Sequence, residues 1–139
     1  MLFMATAQQI FVNLPVKDLK KSIAFFTKVG FSFNKKFTNE KATCVIIGKN
    51  IFAMLLVEKC FKGFTKKKIS DAKKSTEAIL SLQLKSKKEV DALMKRAIKA
   101  GSMPSKLQDY GWMYQHGFAD LDGHQWEIFF MDEKKMPKK

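Results

Sequence analysis

Apolar and polar residues change places along this chain in two rhythms. IFVNLPV (10–16) alternates, with Val12, Leu14 and Val16 on one face and Phe11, Asn13 and Pro15 on the other, which predicts a half-buried strand. DLKKSIAFFTKVG (18–30) then carries Leu19, Ile23, Phe26 and Val29 at helical spacing. Asp18 is placed to cap that helix and Gly30 to end it. FSFNKKF (31–37), ATCVIIG (42–48) and IFAMLLVE (51–58) are short β-prone runs parted by Asn, Glu, Gly and Lys, as antiparallel hairpins require. The first half predicts β-α-β-β-β.

The rhythm then repeats. AILSLQL (78–84) sets Leu80, Leu82 and Leu84 on one face, and SKKEVDALMKRAIKAG (86–101) places Val90, Leu93, Met94, Ala97 and Ile98 on one helical stripe. Ser86 and Glu89 have capping-box spacing and Gly101 closes the helix. GWMYQHGFADL (111–121) and HQWEIFFMD (124–132) predict two strands joined through Asp122-Gly123, a hairpin turn needing positive φ. Segment 102–110 is polar and interrupted by proline, and predicts no element. Two β-α-β-β-β units of about 70 residues each form one domain over residues 1–139: about 8–60, a connection at 61–77, and about 78–132. The stretch 62–76 holds six lysines without strong periodicity and suits an exposed connection with room for a short helical turn.

Composition narrows the class. A chain of 139 residues with 46% hydrophobic residues and 13 Phe can build one buried core, and so is neither disordered nor two full domains. It has no apolar run long enough for a membrane span, and MLFMATAQQ lacks the charged start and apolar stretch of a secretory signal. The expected location is cytoplasmic, with no membrane partner. Cys44 and Cys60 have neither CxxC spacing nor a His at metal-ligand spacing, so reduced thiols are expected.

The net charge of +13 could gather nucleic acid or a small anionic ligand. Of the 26 basic residues, however, only Arg96 is an arginine, whereas phosphate and guanine recognition favours the bidentate guanidinium. Specific nucleic-acid binding is the least favoured reading.

The run Val16, Asp18, Ser22, Phe25, Phe26, Gly30 together with D-x-D-G-H-x-W-E at 120–127, set in a doubled β-α-β-β-β plan, resembles the vicinal oxygen chelate superfamily. That group includes glyoxalase I, the fosfomycin and bleomycin resistance proteins and the extradiol dioxygenases. The resemblance spans roughly residues 8 to 132. It implies an α+β fold whose two units form a cup-shaped mixed sheet with helices outside and a ligand within, in a homodimer. Its metalloenzymes hold a divalent ion through the first and last strand of each unit, for Lewis-acid stabilisation of an oxyanion.

Carried over residue by residue, the four ligand positions fall on Phe11, Phe52, Ile79 and Glu127, and only Glu127 matches. One carboxylate cannot hold a catalytic metal tightly. The expectation is therefore no cofactor; were a divalent ion (Zn, Ni, Mn or Fe) bound, Glu127 would be its ligand. Asn13, Ser81, His116 and His124 become candidates if the register differs by a residue or two.

Glu127 is also the candidate catalytic residue, a carboxyl placed to act as general acid or base. Alternation from it puts Phe129 and Met131 on its face. Phe11, Asn13 and Phe52, with Ser81 and Gln83, give the cup an apolar lining with a few directed polar groups. If the Trp112, Tyr114, His116 and Phe118 face of its strand also looks inward, Tyr114 and His116 stand beside Glu127. His124 is expected to stabilise the hairpin.

Two functions remain from the sequence. One is a protein binding a small, partly aromatic or apolar molecule, anionic or neutral, without the usual metal. The other is a metal-dependent lyase or isomerase of glyoxalase type, or a dioxygenase.

Overall fold

A computed structural model describes residues 3–139; Met1 and Leu2, the first residues of the opening stretch and of the 1–139 domain, lie outside it. The chain is α+β and divides into two compact units, one running to Phe26 and over Phe31–Ile69, the other holding Thr27–Gly30 and Ser70–Lys139. The division falls inside the lysine-rich connection.

The first unit holds β1 (Ile10–Val16), α1 (Leu19–Val29) as far as Phe26, β2 (Ser32–Asn34), β3 (Ala42–Gly48) and β4 (Ile51–Val57), in that order. The sheet order is β1-β4-β3-β2, with β1 parallel to β4 and the other pairs antiparallel. Val12, Leu14 and Val16 do share a face, and Leu14, Val16, Ala53 and Leu55 on that side are buried. Asp18 Oδ1 accepts the Lys21 amide at 3.0 Å, capping α1. Leu19, Phe26 and Val29 of the expected stripe are buried, Ile23 half so. β2 is shorter than its apolar run suggests, because the Asn34 carboxamide accepts the Lys36 amide and turns Lys35–Phe37 into a 3-10 helix. After β4 a single turn, α2 (Glu58–Phe61), leads into a 3-10 turn at Lys62–Phe64. Cys44 is buried, Cys60 half-buried, and both are free; burial pushes the Cys44 thiol above its ordinary pKa.

The second unit holds β5 (Ile79–Gln83), α3 (Lys87–Lys99), β6 (Met103–Pro104), β7 (Gln108–Asp109), β8 (Met113–Ala119) and β9 (Gln125–Met131). Its order is β5-β9-β8-β6, with β7 also on β8, and β5 parallel to β9. Segment 102–110 is thus two short edge pairings, which Pro104 keeps from becoming one longer strand. Ser86 Oγ accepts the Glu89 amide at 3.1 Å, while the Glu89 carboxylate reaches back to the Lys85 amide at 3.0 Å, one residue earlier than a reciprocal capping box. Val90, Leu93, Met94 and Ala97 are buried, and α3 packs on β8 and β9. Ile98 is not part of that stripe: it lies at its edge and is 45% exposed.

Candidate ligand-binding site

Glu127 owes its position to the hairpin before it. Asp120, 8% exposed, accepts the Asp122 and His124 amides on Oδ1, each at 3.0 Å, and the Trp126 indole N–H on Oδ2 at 2.9 Å. Burial pushes its carboxyl above the ordinary value, against the opposing pull of His124 and of these hydrogen bonds. Gly123 takes φ +91° and donates to the Asp120 carbonyl at 3.0 Å, and Asp120 N–H donates to the His124 carbonyl at 2.9 Å. His124 does belong to the turn, as expected. Asp120 was missed as its organiser, although the D-x-D-G-H-x-W spacing carries the signal.

The turn therefore has three residues, 121–123, between Asp120 and His124, with glycine in the left-handed position. That length decides which side chains accompany Glu127. A two-residue turn at Asp122-Gly123 would pair Leu121 with His124 and set Phe118, and with it His116 and Tyr114, on the Glu127 face. The observed register sets Gly117 opposite Glu127, Gln115 opposite Phe129 and Met113 opposite Met131. A one-residue difference moves every side chain of β8 to the other face.

Tyr114, His116 and Phe118 thus lie on the α3 side, opposite Phe130, Ile128 and Trp126, and the inward-looking arrangement is corrected. Phe118 stacks on Trp126 (6.4 Å, 13°). Tyr114 donates its hydroxyl to Asp91 Oδ1 of α3 at 2.6 Å, with Lys87 Nζ 5.4 Å from its ring. That bond to Asp91, helped by desolvation, pushes the phenol up to about 12. Trp112 lies just ahead of β8, half-buried, its carbonyl accepting the Asp132 amide.

The face that bears Glu127 gathers other residues. Ser81 Oγ donates to Glu127 Oε1 at 3.2 Å and Gln115 Nε2 to Oε2 at 2.7 Å. Gln83 and Phe129 are register partners on the same face. Gly117 is needed opposite Glu127, since a Cβ there would come within 2.5 Å of the Trp126 carbonyl oxygen. Gln115, the nearest donor to the carboxylate, was not among the expected site residues, since the expectation was framed for the opposite face of its strand.

In the first unit Phe11, Asn13, Phe52 and Met54 share one face, and the Phe11 and Phe52 rings stack at 4.7 Å and 15°. Phe11 is paired with Phe52 as Ser81 is with Glu127, so Ser81, not Ile79, is the register counterpart of Phe11. The four positions become Phe, Phe, a hydroxyl and one carboxylate. Neither pair, Phe11 with Phe52 in the first unit or Ser81 with Glu127 in the second, offers the three or more donors that a divalent ion takes. Among the described residues no group of three or more His, Cys, Asp or Glu side chains is disposed to hold one, nor is any helix long and apolar enough to cross a membrane.

Residues 8–48 match the model of the bleomycin resistance protein-like N-terminal family. Among curated proteins a sequence search finds no match. Solved structures are similar throughout. A hypothetical protein, SA1046, from S. aureus is 26% identical over 91% of this chain and 95% of its own, with a TM-score of 0.75. The fosfomycin resistance protein FosX from Listeria monocytogenes is 18% identical over 95% and 98%, with a TM-score of 0.67. TnmS3, an antibiotic binding protein from Streptomyces sp. CB03234, is 20% identical over 93% and 99%, with a TM-score of 0.67. Over residues 8–48 the chain is thus similar to the bleomycin resistance protein-like N-terminal family, and over nearly its whole length it shares the fold of the glyoxalase, bleomycin resistance and dioxygenase proteins.

Proposed function

We propose that the protein binds a small, partly apolar molecule against the open sheet faces, without the metal site of the superfamily's enzymes. The observation that carries this reading is the stacked Phe11–Phe52 pair, standing in the register position that Ser81 and Glu127 occupy in the second unit. A flat aromatic surface there offers stacking and apolar contact where an enzyme of this type needs donors. On the second unit Ser81, Gln83, Gln115, Glu127 and Phe129 supply the contacts, and on the first Asn13 shares the face of the two phenylalanines. Binding proteins of this fold, such as the antibiotic binding protein TnmS3, support the reading. A homodimer in the cytoplasm completes it, and sizing by light scattering tests the dimer.

The second reading, a metal-dependent glyoxalase-type lyase or isomerase, is favoured by Glu127 alone. One experiment separates the two: metal content of the purified protein, then methylglyoxal–glutathione turnover with and without added Zn²⁺, Ni²⁺ or Mn²⁺. Sequestration predicts substoichiometric metal and no turnover. Stoichiometric metal that is lost in Glu127→Gln would overturn it.

A further inference from the structure

Glu127 is the only charged side chain that the strand register of the second unit places on its face. Across β5, β9 and β8 its neighbours there are Ser81, Gln83, Gln115, Gln125, Phe129 and the paired Met113–Met131, all neutral. Its two carboxylate oxygens are held by two neutral donors, the Ser81 hydroxyl at 3.2 Å and the Gln115 carboxamide at 2.7 Å. Among the described residues it makes no salt bridge; the ion pair Lys87–Asp109 lies elsewhere. In a chain with 26 Lys and Arg, this half-buried carboxylate is therefore held by neutral donors alone.

We infer that the ligand supplies the missing cation: the molecule bound at this face carries an ammonium or guanidinium group beside an apolar or aromatic body. The inference rests on the reading of these faces as a small-molecule site and names the chemistry they select. Ser81 and Gln115 fix both carboxylate oxygens, and each oxygen keeps a free lone pair to accept a ligand N–H in a charge-assisted hydrogen bond. Phe129, Met113 and Met131 on the same face receive the apolar body, the thioethers adapting to its shape. The sign is opposite to the anionic ligand that the net charge suggests. The lysines act at long range and are screened beyond about 8 Å at physiological ionic strength, whereas Glu127 acts in contact. Their repulsion slows the arrival of a cation without abolishing its contact energy.

Three matched probes test the inference on the intact chain: 4-phenylbutylamine, the uncharged 4-phenylbutanol and 4-phenylbutyrate, titrated while backbone amide NMR shifts of β5, β8 and β9 are followed. The amine should bind tightest, on the order of tenfold or more above the alcohol, with the carboxylate weakest. Glu127→Gln should abolish the amine's advantage, so that amine and alcohol bind the variant within about twofold of each other, while the amide spectrum of the free variant confirms that it is folded. Equal binding of amine and alcohol in the native chain would overturn the cationic assignment and leave the small-molecule reading standing, as would an amine advantage that survives Glu127→Gln. Failure of all three probes to shift these strands would overturn both.

Discussion

Truncating Asp120 tests whether this residue holds the hairpin that carries Glu127. Asp120→Ala removes three acceptor contacts at once. The Trp126 indole N–H, on a residue 1% exposed, loses its partner at 2.9 Å in a place water does not reach. An orphaned buried donor costs about 1–3 kcal/mol. The Asp122 and His124 amides, each 3.0 Å from Oδ1, lie in the turn and regain water in part, so each adds about 0.5–1 kcal/mol. Against these stands relief of the desolvation that raises the Asp120 pKa. The expected net loss is about 2–4 kcal/mol, or roughly 6–20 °C in Tm for a domain of this size.

Urea unfolding followed by tryptophan fluorescence and circular dichroism reads it. Adding Trp126→Phe tests the cause, because a ring without an N–H has nothing to orphan. The double-mutant cycle should return a coupling of about 1–2 kcal/mol between the two positions. A loss under 0.5 kcal/mol for Asp120→Ala, within the range of ordinary surface changes, would refute the reasoning, and so would strict additivity with Trp126→Phe.

Acid dependence gives a second test of Asp120: its folded pKa is raised from 3.8, so its linkage contribution to stability is full below 3.8 and is lost as pH rises through the folded value. The stability advantage of the native chain over Asp120→Asn should therefore shrink as pH climbs from 3.8, as urea midpoints across the acid range will show; an advantage growing over that range would contradict it. Ultraviolet titration should find one phenol, Tyr114, ionising only near 12, and Asp91→Asn should bring it down towards 10.0. Gly123→Ala forces an L side chain to φ +91° with its Cβ 2.7 Å from the Lys73 amide nitrogen, and should cost about 2–4 kcal/mol. Gly63→Ala, which meets nothing within 4 Å, should stay within about 0.5 kcal/mol of the native chain in the same assay. Phe129→Ala should weaken an aromatic probe such as 4-phenylbutanol by roughly threefold to tenfold through loss of the ring on the Glu127 face, measured by calorimetry.

Most of the fold is written in the two periodicities. Val12, Leu14 and Val16 alternate because one face of β1 is buried, and Val90, Leu93, Met94 and Ala97 follow a helical stripe because α3 packs on β8 and β9. Those patterns arise from burial, which leaves its mark on every second or every third and fourth residue. β6 and β7 left no such mark: Met103, Pro104, Gln108 and Asp109 are all exposed, so their pairing with β8 rests on backbone hydrogen bonds that side chains do not announce.

The candidate site was legible to the extent that its residues sit on one strand pair in parallel register. Phe11 with Phe52 and Ser81 with Glu127 follow from matching the two units, once the pairing of β5 with β9 corrects Ile79 to Ser81. The residues across the hairpin were not legible, because β8 is apolar on both faces. Met113, Gly117 and Ala119 on one side, and Tyr114 and Phe118 on the other, give no alternation that would fix its parity. The turn alone fixes it, and Asp-Gly fits a two-residue and a three-residue hairpin equally well. Asp120 breaks the tie: its carboxylate can accept the Asp122 and His124 amides only when Asp120 closes the loop, as the three-residue turn makes it do. The choice of Gln115 rather than His116 as the neighbour of Glu127 thus descends from one buried carboxyl seven residues earlier in the chain. It decides that Glu127 accepts from the Gln115 carboxamide and that the His116 side chain lies on the other face of the sheet.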